Sequence, residues 1–145
     1  MKTSCAQVER SLTEVKAEFV FPEGIIGFPA NKQYTFVPEK SKEPFAWLES
    51  AESGGPSFII IDPREFKPDY APILTETDRR ALDVTDDQEC QFYAIVVVSN
   101  NSDSISANLL APLVFNRKKM IGRQVVLQDQ DYSVQHLILE EMVNA

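Results

Sequence analysis

Three carboxylates stand close together in the segment FIIIDPREFKPDY and are the residues best placed for catalysis or metal binding. Asp62, Glu65 and Asp69 could in principle supply the acid and base of a hydrolase or the oxygen ligands of a calcium loop. The calcium-loop spacing is absent, and Pro63 and Pro68 impose an extended backbone unlike that loop. Asp62 ahead of Pro63 is typical of a residue that starts a turn. We therefore expect no catalysis here, and a small hydrolase built on these three carboxylates stays open as an alternative.

The other residue types that carry out chemistry are scarce. The sequence has one histidine, His136, and two cysteines, Cys5 and Cys90. His136 would share a strand face with Val134 and Ile138, which favours a packed histidine over a catalytic one. A zinc site needs about four N or S ligands, so these three residues fall short. Acidic residues before Cys90 predict a raised thiol pKa, the opposite of a reactive cysteine. We predict two reduced thiols, no metal and no cofactor.

The overall charge excludes some classes of partner. The 145 residues carry 22 acidic and 14 basic side chains, for a formal net charge of -8. Nucleic-acid affinity comes largely from basic residues that neutralise phosphates, and the only basic cluster is RKKMIGR at 117–123. We predict no direct nucleic-acid binding and a basic protein partner instead. Apolar runs fall short of the ~18 residues of a membrane span, and the start lacks the apolar region of a signal peptide. The protein is expected to be cytoplasmic, without membrane contact.

Proline positions and residue alternation predict a mainly β protein. Eight of the nine prolines lie between residues 22 and 72, which excludes long helices there. Strand patterns recur about every 8 to 12 residues, as in an antiparallel barrel or sandwich. Segment 44–49 fits a strand or a helix. Strands are predicted over 14–21, 33–37, 58–61, 91–99, 104–111, 113–116, 124–128 and 133–139.

A single short helix is predicted in the segment TETDRRALDV. Thr75 is suited to cap its N-terminus, with Asp78 three residues later in an acidic variant of the capping box. The helix dipole would favour Glu76 and Asp78 in the first turn. The acidic stretch 86–89 follows soon after and limits the helix length.

Two asparagines bracket a break in the C-terminal half of the chain. Pro112 cannot donate a hydrogen bond to a sheet ladder, so it interrupts the strand pattern. We predict that the side-chain amides of Asn108 and Asn116 bond neighbouring backbone groups at this break.

Two stretches are predicted to contact a partner. In the first, prolines fix the backbone around Phe66 and Tyr70, so that little ordering entropy is lost on docking. Phe66 is expected in the core, and Tyr70 on the surface because its hydroxyl needs a polar neighbour. The second stretch is acidic, and it either attracts a basic partner or only keeps the protein soluble. The predicted partner-binding residues are Phe66, Asp69, Tyr70, Glu76, Asp78, Asp86, Asp87 and Glu89.

Four segments of the chain form a pattern that extends over most of its length. They are FPEGIIGFPANKQYTF, PFAWLES, FIIIDPREFKPDY and NLLAPLVFNRKKMIGRQVVL. In the same order, they resemble the sequence motifs of the flagellar assembly factor FliW family. Tyr-Ser-Val at 132–134 fits the usual end of these sequences, whereas Glu49 stands where a glutamine is common. The resemblance covers roughly residues 14–140, which leaves 1–13 as an N-terminal extension and 141–145 as a C-terminal tail.

The resemblance implies a small antiparallel β-barrel-like single domain with one short helix and no enzymatic activity. Proteins of this family bind the RNA-binding translational regulator CsrA, which relieves repression of flagellin synthesis. They also bind flagellin, which competes with the regulator. The expected partners are therefore a CsrA-type regulator and flagellin, and the free chain is expected to be monomeric. A generic β-barrel interaction module is a further alternative.

Overall fold

The computed structural model describes residues 16–98, 104–128 and 130–138. The predictions for residues 1–13, for the tail 141–145 and for Cys5 lie outside this part of the chain. The helix α1 spans Glu76–Leu82. The strands are β1 (Ala17–Val20), β2 (Gln33–Pro38), β3 (Phe45–Ser50), β4 (Ser57–Ile61), β5 (Gln91–Val98), β6 (Ile105–Ala107), β7 (Leu113–Asn116), β8 (Ile121–Gln124) and β9 (His136–Leu137).

Seven of these strands close into a barrel in the order β4-β3-β2-β1-β8-β7-β5, because β5 also pairs with β4. All neighbours run antiparallel except β1 and β8, which meet in parallel at Val20 and Ile121. The two ends of β5 pair with different strands, its first half with β7 and its second half with β6. β6 pairs in turn with β9 and extends the sheet beyond the barrel. The predicted mainly β, antiparallel barrel with a short helix is confirmed.

Aromatic rings fill the inside of the barrel. Phe115 lies at their centre, with its ring edge-to-face against Phe19 at a centroid distance of 4.8 Å, Phe21 at 5.6 Å and Tyr93 at 5.7 Å. Such edge-to-face pairs stabilise a core beyond the area they bury. We call this set the barrel core; it comprises Phe19, Phe21, Ile25, Tyr34, Phe36, Ala46, Leu48, Ile60, Tyr93, Leu113 and Phe115.

A second core lies against the outer face of β5 and β7. All four residues of β7 are buried, since alternate side chains such as Leu113 and Val114 enter different cores. The outer face is covered by α1 and by irregular chain on both sides of it. We call this set the outer core; it comprises Ile61, Phe66, Tyr70, Leu74, Leu82, Val84, Cys90, Phe92, Ala94, Val96, Ala107, Leu109, Val114, Val125, Leu127 and Ile138.

The structure corrects several predicted strand boundaries. Segment 44–49 fitted a strand or a helix, and all of it except Pro44 lies in strand β3. The predicted strand 124–128 is wrong, because β8 ends at Gln124. The backbone N–H groups of Val125 and Leu127 still bond to carbonyls of the chain around Pro112. Pro112 has no N–H to return such a bond, so this pairing does not continue as a regular ladder.

Candidate functional site

The segment after β4 forms a tight turn. The carboxylate of Asp62 accepts a hydrogen bond from the backbone N–H of Arg64 at 2.9 Å and caps a short 3-10 helix, which confirms Asp62 as the start of a turn. Glu65 is exposed, and Asp69 points to solvent beside Lys67 at 3.5 Å. In the described part of the chain, no group of three or more His, Cys, Asp or Glu side chains could hold a metal ion. These contacts give no support to the hydrolase alternative.

Both aromatic residues of this segment are buried. Phe66 stacks on the ring of His136 at a centroid distance of 5.6 Å, which confirms its place in the core. Tyr70 is only 1% exposed, so its predicted place on the surface is wrong. Its hydroxyl donates a hydrogen bond to the carbonyl oxygen of Leu109 at 2.7 Å, and its ring contacts Tyr132. The polar neighbour that the hydroxyl needs is therefore found inside the outer core.

His136 is half-buried against Phe66, as expected for a packed histidine. The two residues predicted to share its strand face lie in different environments, because Ile138 is buried but Val134 is 54% exposed. The regular strand is limited to β9, so the predicted alternation does not extend back to Val134. Burial and the charges of nearby acids raise the pKa of the Cys90 thiol to about 11, as predicted.

Asp78 is the most buried of the predicted partner-binding acids, at 7% exposed. It completes a capping box with Thr75, which confirms the predicted start of the helix. Its carboxylate also accepts a hydrogen bond from the Arg123 guanidinium at 3.0 Å. Arg123 reaches across to Glu23 at 2.7 Å as well. Asp78 thus connects α1 to β8 inside the molecule and is not presented to a partner.

The acids after α1 are also bonded locally. Asp87 accepts hydrogen bonds from the backbone N–H of Leu74 at 3.2 Å and from the Arg79 guanidinium at 3.1 Å. Asp86 and Glu89 form a second capping box. Backbone hydrogen bonds from Thr85 and Asp86 lower the pKa of Glu89. Ion pairs and capping bonds therefore engage much of the acidic stretch within the fold.

The predicted contact of Asn108 with the backbone at the break is confirmed, whereas Asn116 bonds backbone groups away from the break. The Asn108 side-chain oxygen accepts hydrogen bonds from two backbone N–H groups just before Pro112, at 3.1 and 3.0 Å. The Asn116 side-chain amide donates to the carbonyl oxygen of Leu82, at the end of α1, at 2.6 Å. Its oxygen accepts from two backbone N–H groups of the turn after β7. Asn116 thereby fixes the helix on the outer face of the barrel.

One end of the barrel opens into a groove of ≈ 520 Å³, which we call the barrel-mouth groove. Carboxylates from the loop between β2 and β3 and from the turn after β4 face this opening. The Tyr93 side chain reaches it from the barrel core. The lining residues are Phe36, Pro38, Glu39, Glu43, Pro44, Phe45, Ala46, Asp62, Glu65 and Tyr93.

A second groove, of ≈ 440 Å³, crosses the outer face of β3, β4, β5 and β6 and is called the sheet groove here. Trp47, Ile59 and Val96 lie opposite one another on three neighbouring strands. The Trp47 indole N–H donates to the Glu39 carboxylate at 2.9 Å, which fixes the ring beside the acidic end of the barrel. This surface was not predicted from the sequence. A strand over 44–49 would indicate the sheet groove, because successive residues of a strand point to opposite faces and Trp47 would then face away from the buried Leu48.

No helix in the described ranges is long and apolar enough to cross a membrane. The family model for the FliW protein matches residues 2–138 of the chain. The flagellar assembly factor FliW of Alkaliphilus metalliredigens is 42% identical over 123 residues, 84% of this chain and 76% of the relative. The same factor from Thermoanaerobacter pseudethanolicus is 36% identical over 126 residues, 86% and 84% of the two chains. A crystal structure of the flagellar assembly factor FliW has a TM-score of 0.77 at 31% identity, over 83% of this chain and 84% of that one. The chain therefore belongs to the FliW family.

Proposed function

We propose that this protein acts in flagellar assembly by binding other proteins and without catalysing a reaction. One partner is a CsrA-type translational regulator, whose capture relieves repression of flagellin synthesis. The other is flagellin, which competes for the protein and so couples flagellin level to its own synthesis. Membership of a family whose curated proteins are named flagellar assembly factors supports this role.

The sheet groove is the observation that carries a protein-binding function. A row of apolar side chains crosses four strands there, and Val98 at its end is 52% exposed. Contiguous apolar surface of this kind marks interaction sites, and aromatic residues act as anchors in them. Phe45 and Trp47 are the aromatic residues that line this groove.

The charge of the chain fits a regulator that binds RNA. Such a regulator must present basic residues to phosphates, and the net charge here is -8. Complementary charge speeds encounter and disfavours wrong partners. Exposed acids around α1, such as Glu76 and Asp86, remain candidates for this steering, although Glu76 pairs with Arg80 at 3.7 Å and Asp86 accepts a hydrogen bond from the backbone N–H of Gln88.

Two exposed valines provide a matched test. Val98→Asp places a charge in the sheet groove, whereas Val134→Asp places the same charge at an equally exposed site outside it; the two valines are 52% and 54% exposed. Isothermal titration with a CsrA-type regulator should show at least about tenfold weaker binding for Val98→Asp, the loss of one anchor contact. Val134→Asp should bind as the unchanged chain does. Equal binding by both variants would contradict docking at the sheet groove.

Competition between the two partners and the salt dependence of binding test whether the regulator and flagellin bind as proposed. Added flagellin should displace the regulator from a preformed complex in a titration. The on-rate for the regulator should fall as salt rises, because charges are screened beyond a Debye length of ~8 Å at physiological ionic strength. Failure of the unchanged chain to bind regulator or flagellin at micromolar concentrations would overturn the proposed function.

A further inference from the structure

We propose that Glu39 is a positioning residue, which holds the Trp47 ring of the sheet groove ready to receive an apolar side chain of the regulator. The inference rests on the proposed function, because it takes the regulator to dock at the sheet groove. It adds a residue that does not itself line this groove, and it assigns the chemistry of the group that covers the ring.

The Trp47 ring lies on the outer face of the sheet between side chains of two neighbouring strands. Val37 of β2 and Ile59 of β4 are its cross-strand partners. The residue is half-buried, and the one polar atom of its ring, the indole Nε1, donates a hydrogen bond to Glu39 Oε1 at 2.9 Å. A hydrogen bond to a charged acceptor is stronger than one to a neutral acceptor. This bond therefore selects one orientation of the ring on an otherwise apolar surface.

Glu39 is itself held by the turn between β2 and β3. Its Oε2 accepts a hydrogen bond from the Ser41 hydroxyl at 3.2 Å, so the two carboxylate oxygens have different donors. Its backbone carbonyl oxygen accepts from the backbone N–H of Lys42 at 2.9 Å. Pro38, with its fixed φ, precedes it at the end of β2. The position of the carboxylate thus does not depend on the indole alone.

The bond to Glu39 lowers two costs of docking at Trp47. A large side chain that is already ordered loses little rotamer entropy when a partner covers it. An indole N–H that is covered without an acceptor would be left unpaired, which costs free energy. Because Glu39 already accepts this hydrogen bond, an apolar group can cover the ring and leave no polar atom unpaired. The group of the regulator that meets the ring is then an aliphatic or aromatic side chain.

The first test measures the ring in the free chain by NMR. Trp47 is the only tryptophan, so a ¹⁵N-labelled chain gives a single indole N–H signal. In Glu39→Ala this signal should move upfield and its heteronuclear NOE should fall, because the hydrogen bond is lost and the ring becomes mobile. An unchanged NOE would show that packing alone holds the ring, and it would overturn the inference.

Two further variants separate the hydrogen bond from the charge. Glu39→Gln removes the charge but keeps an acceptor oxygen, and it should restore most of the NOE. Glu49→Ala removes an exposed carboxylate two residues from Trp47 and should leave the indole signal in place. Equal changes in Glu39→Ala and Glu49→Ala would show a general effect of charge and would contradict a positioning role.

The second test measures affinity for a CsrA-type regulator by isothermal titration, with the folding of each variant checked by its thermal midpoint. Glu39→Ala should weaken binding about three- to tenfold, the cost of ordering one large side chain on docking. Glu39→Gln and Glu49→Ala should bind nearly as the unchanged chain does. In a Trp47→Phe background, which has no indole N–H, Glu39→Ala should have no further effect. An equal loss in both backgrounds would show that Glu39 acts on the regulator directly, which would contradict positioning through Trp47.

The two tests distinguish this inference from the proposed function. If the unchanged chain binds neither the regulator nor flagellin, the proposed function fails, and the indole NOE still decides whether Glu39 positions Trp47. If the regulator binds and Glu39→Ala changes neither the NOE nor the affinity, the inference fails and the proposed function stands. If the NOE falls but the affinity holds, the orientation of the ring does not matter for docking, and the inference fails as well.

Discussion

The two cores of this protein are built in different ways. Inside the barrel, alternate residues of neighbouring strands meet, and aromatic rings such as those of Phe36 and Phe115 fill the space. The backbone there is paired by the sheet ladders. The outer core lies between those strands and irregular chain, and most of its side chains are aliphatic. The difference is one of backbone pairing, because irregular chain has no ladder to satisfy its polar groups.

In the outer core, single side chains make the hydrogen bonds to backbone groups that the sheet ladder makes in the barrel. Tyr70 bonds the carbonyl oxygen of Leu109, and Asn116 bonds that of Leu82. The Gln130 side chain accepts a hydrogen bond from the backbone N–H of Ile73 and donates one to the carbonyl oxygen of Ala71, both at 2.9 Å. Each of these bonds joins parts of the chain more than 30 residues apart. The outer layer should therefore depend on a few polar contacts, and the barrel on packing.

The largest expected effect is in the barrel core. Phe115→Ala should lower the free energy of unfolding by about 3 to 5 kcal/mol, because it empties the centre of the ring cluster. Urea unfolding followed by fluorescence measures the loss. Val114→Ala is the control on the same strand, in the outer core, and should cost less because fewer atoms are removed. Equal losses would contradict the distinction between the two cores.

A smaller loss is expected where the helix is attached. Asn116→Ala should cost about 1 to 3 kcal/mol, because it leaves the carbonyl oxygen of Leu82 buried without its donor. Asn108→Ala, whose bonds lie within one local turn, should cost less. Thermal unfolding of both variants makes the comparison. A midpoint for Asn116→Ala that equals the unchanged chain would show that the bond contributes nothing.

The sequence predicted the features that depend on local patterns better than those that depend on distant contacts. The alternation that predicts a strand within 14–21 is a local pattern, and so is the capping box at Thr75. The burial of Tyr70 depends on Leu109, 39 residues away, and that of Asp78 on Arg123, 45 residues away. No local pattern indicates such partners. The barrel-mouth groove was beyond prediction for the same reason, since its carboxylates come from two separate loops.

The hydroxyl of Tyr70 should contribute about 1 to 2 kcal/mol to the free energy of unfolding, within the cost of an unpaired buried group. Tyr70→Phe keeps the ring and removes only the bond to Leu109. Burial raises the Tyr70 pKa above its ordinary value of 10.0. Above pH 10 the Tyr70 hydroxyl of the unfolded chain loses its proton while that of the folded chain keeps it. The free energy of unfolding should therefore fall as the pH rises. Urea unfolding from pH 8 to 11 should show a shallower fall for Tyr70→Phe, and identical slopes would contradict the buried bond.

The last prediction does not concern a change in stability. It concerns how readily a reagent reaches the outer core, measured by the rate at which the Cys90 thiol is modified. Burial, followed by the charges of Asp87, Glu89 and Asp86, raises the pKa of this thiol from 9.0 to about 11. Only the thiolate reacts with an alkylating reagent. At pH 8 the difference in pKa alone lowers the thiolate fraction about a hundredfold. In a Cys5→Ser background, iodoacetamide should therefore modify the folded chain at least about a hundred times more slowly than the chain in denaturing urea. A folded rate within a few fold of the unfolded rate would show that the outer core opens readily, and that its polar contacts do not hold the irregular chain on the barrel.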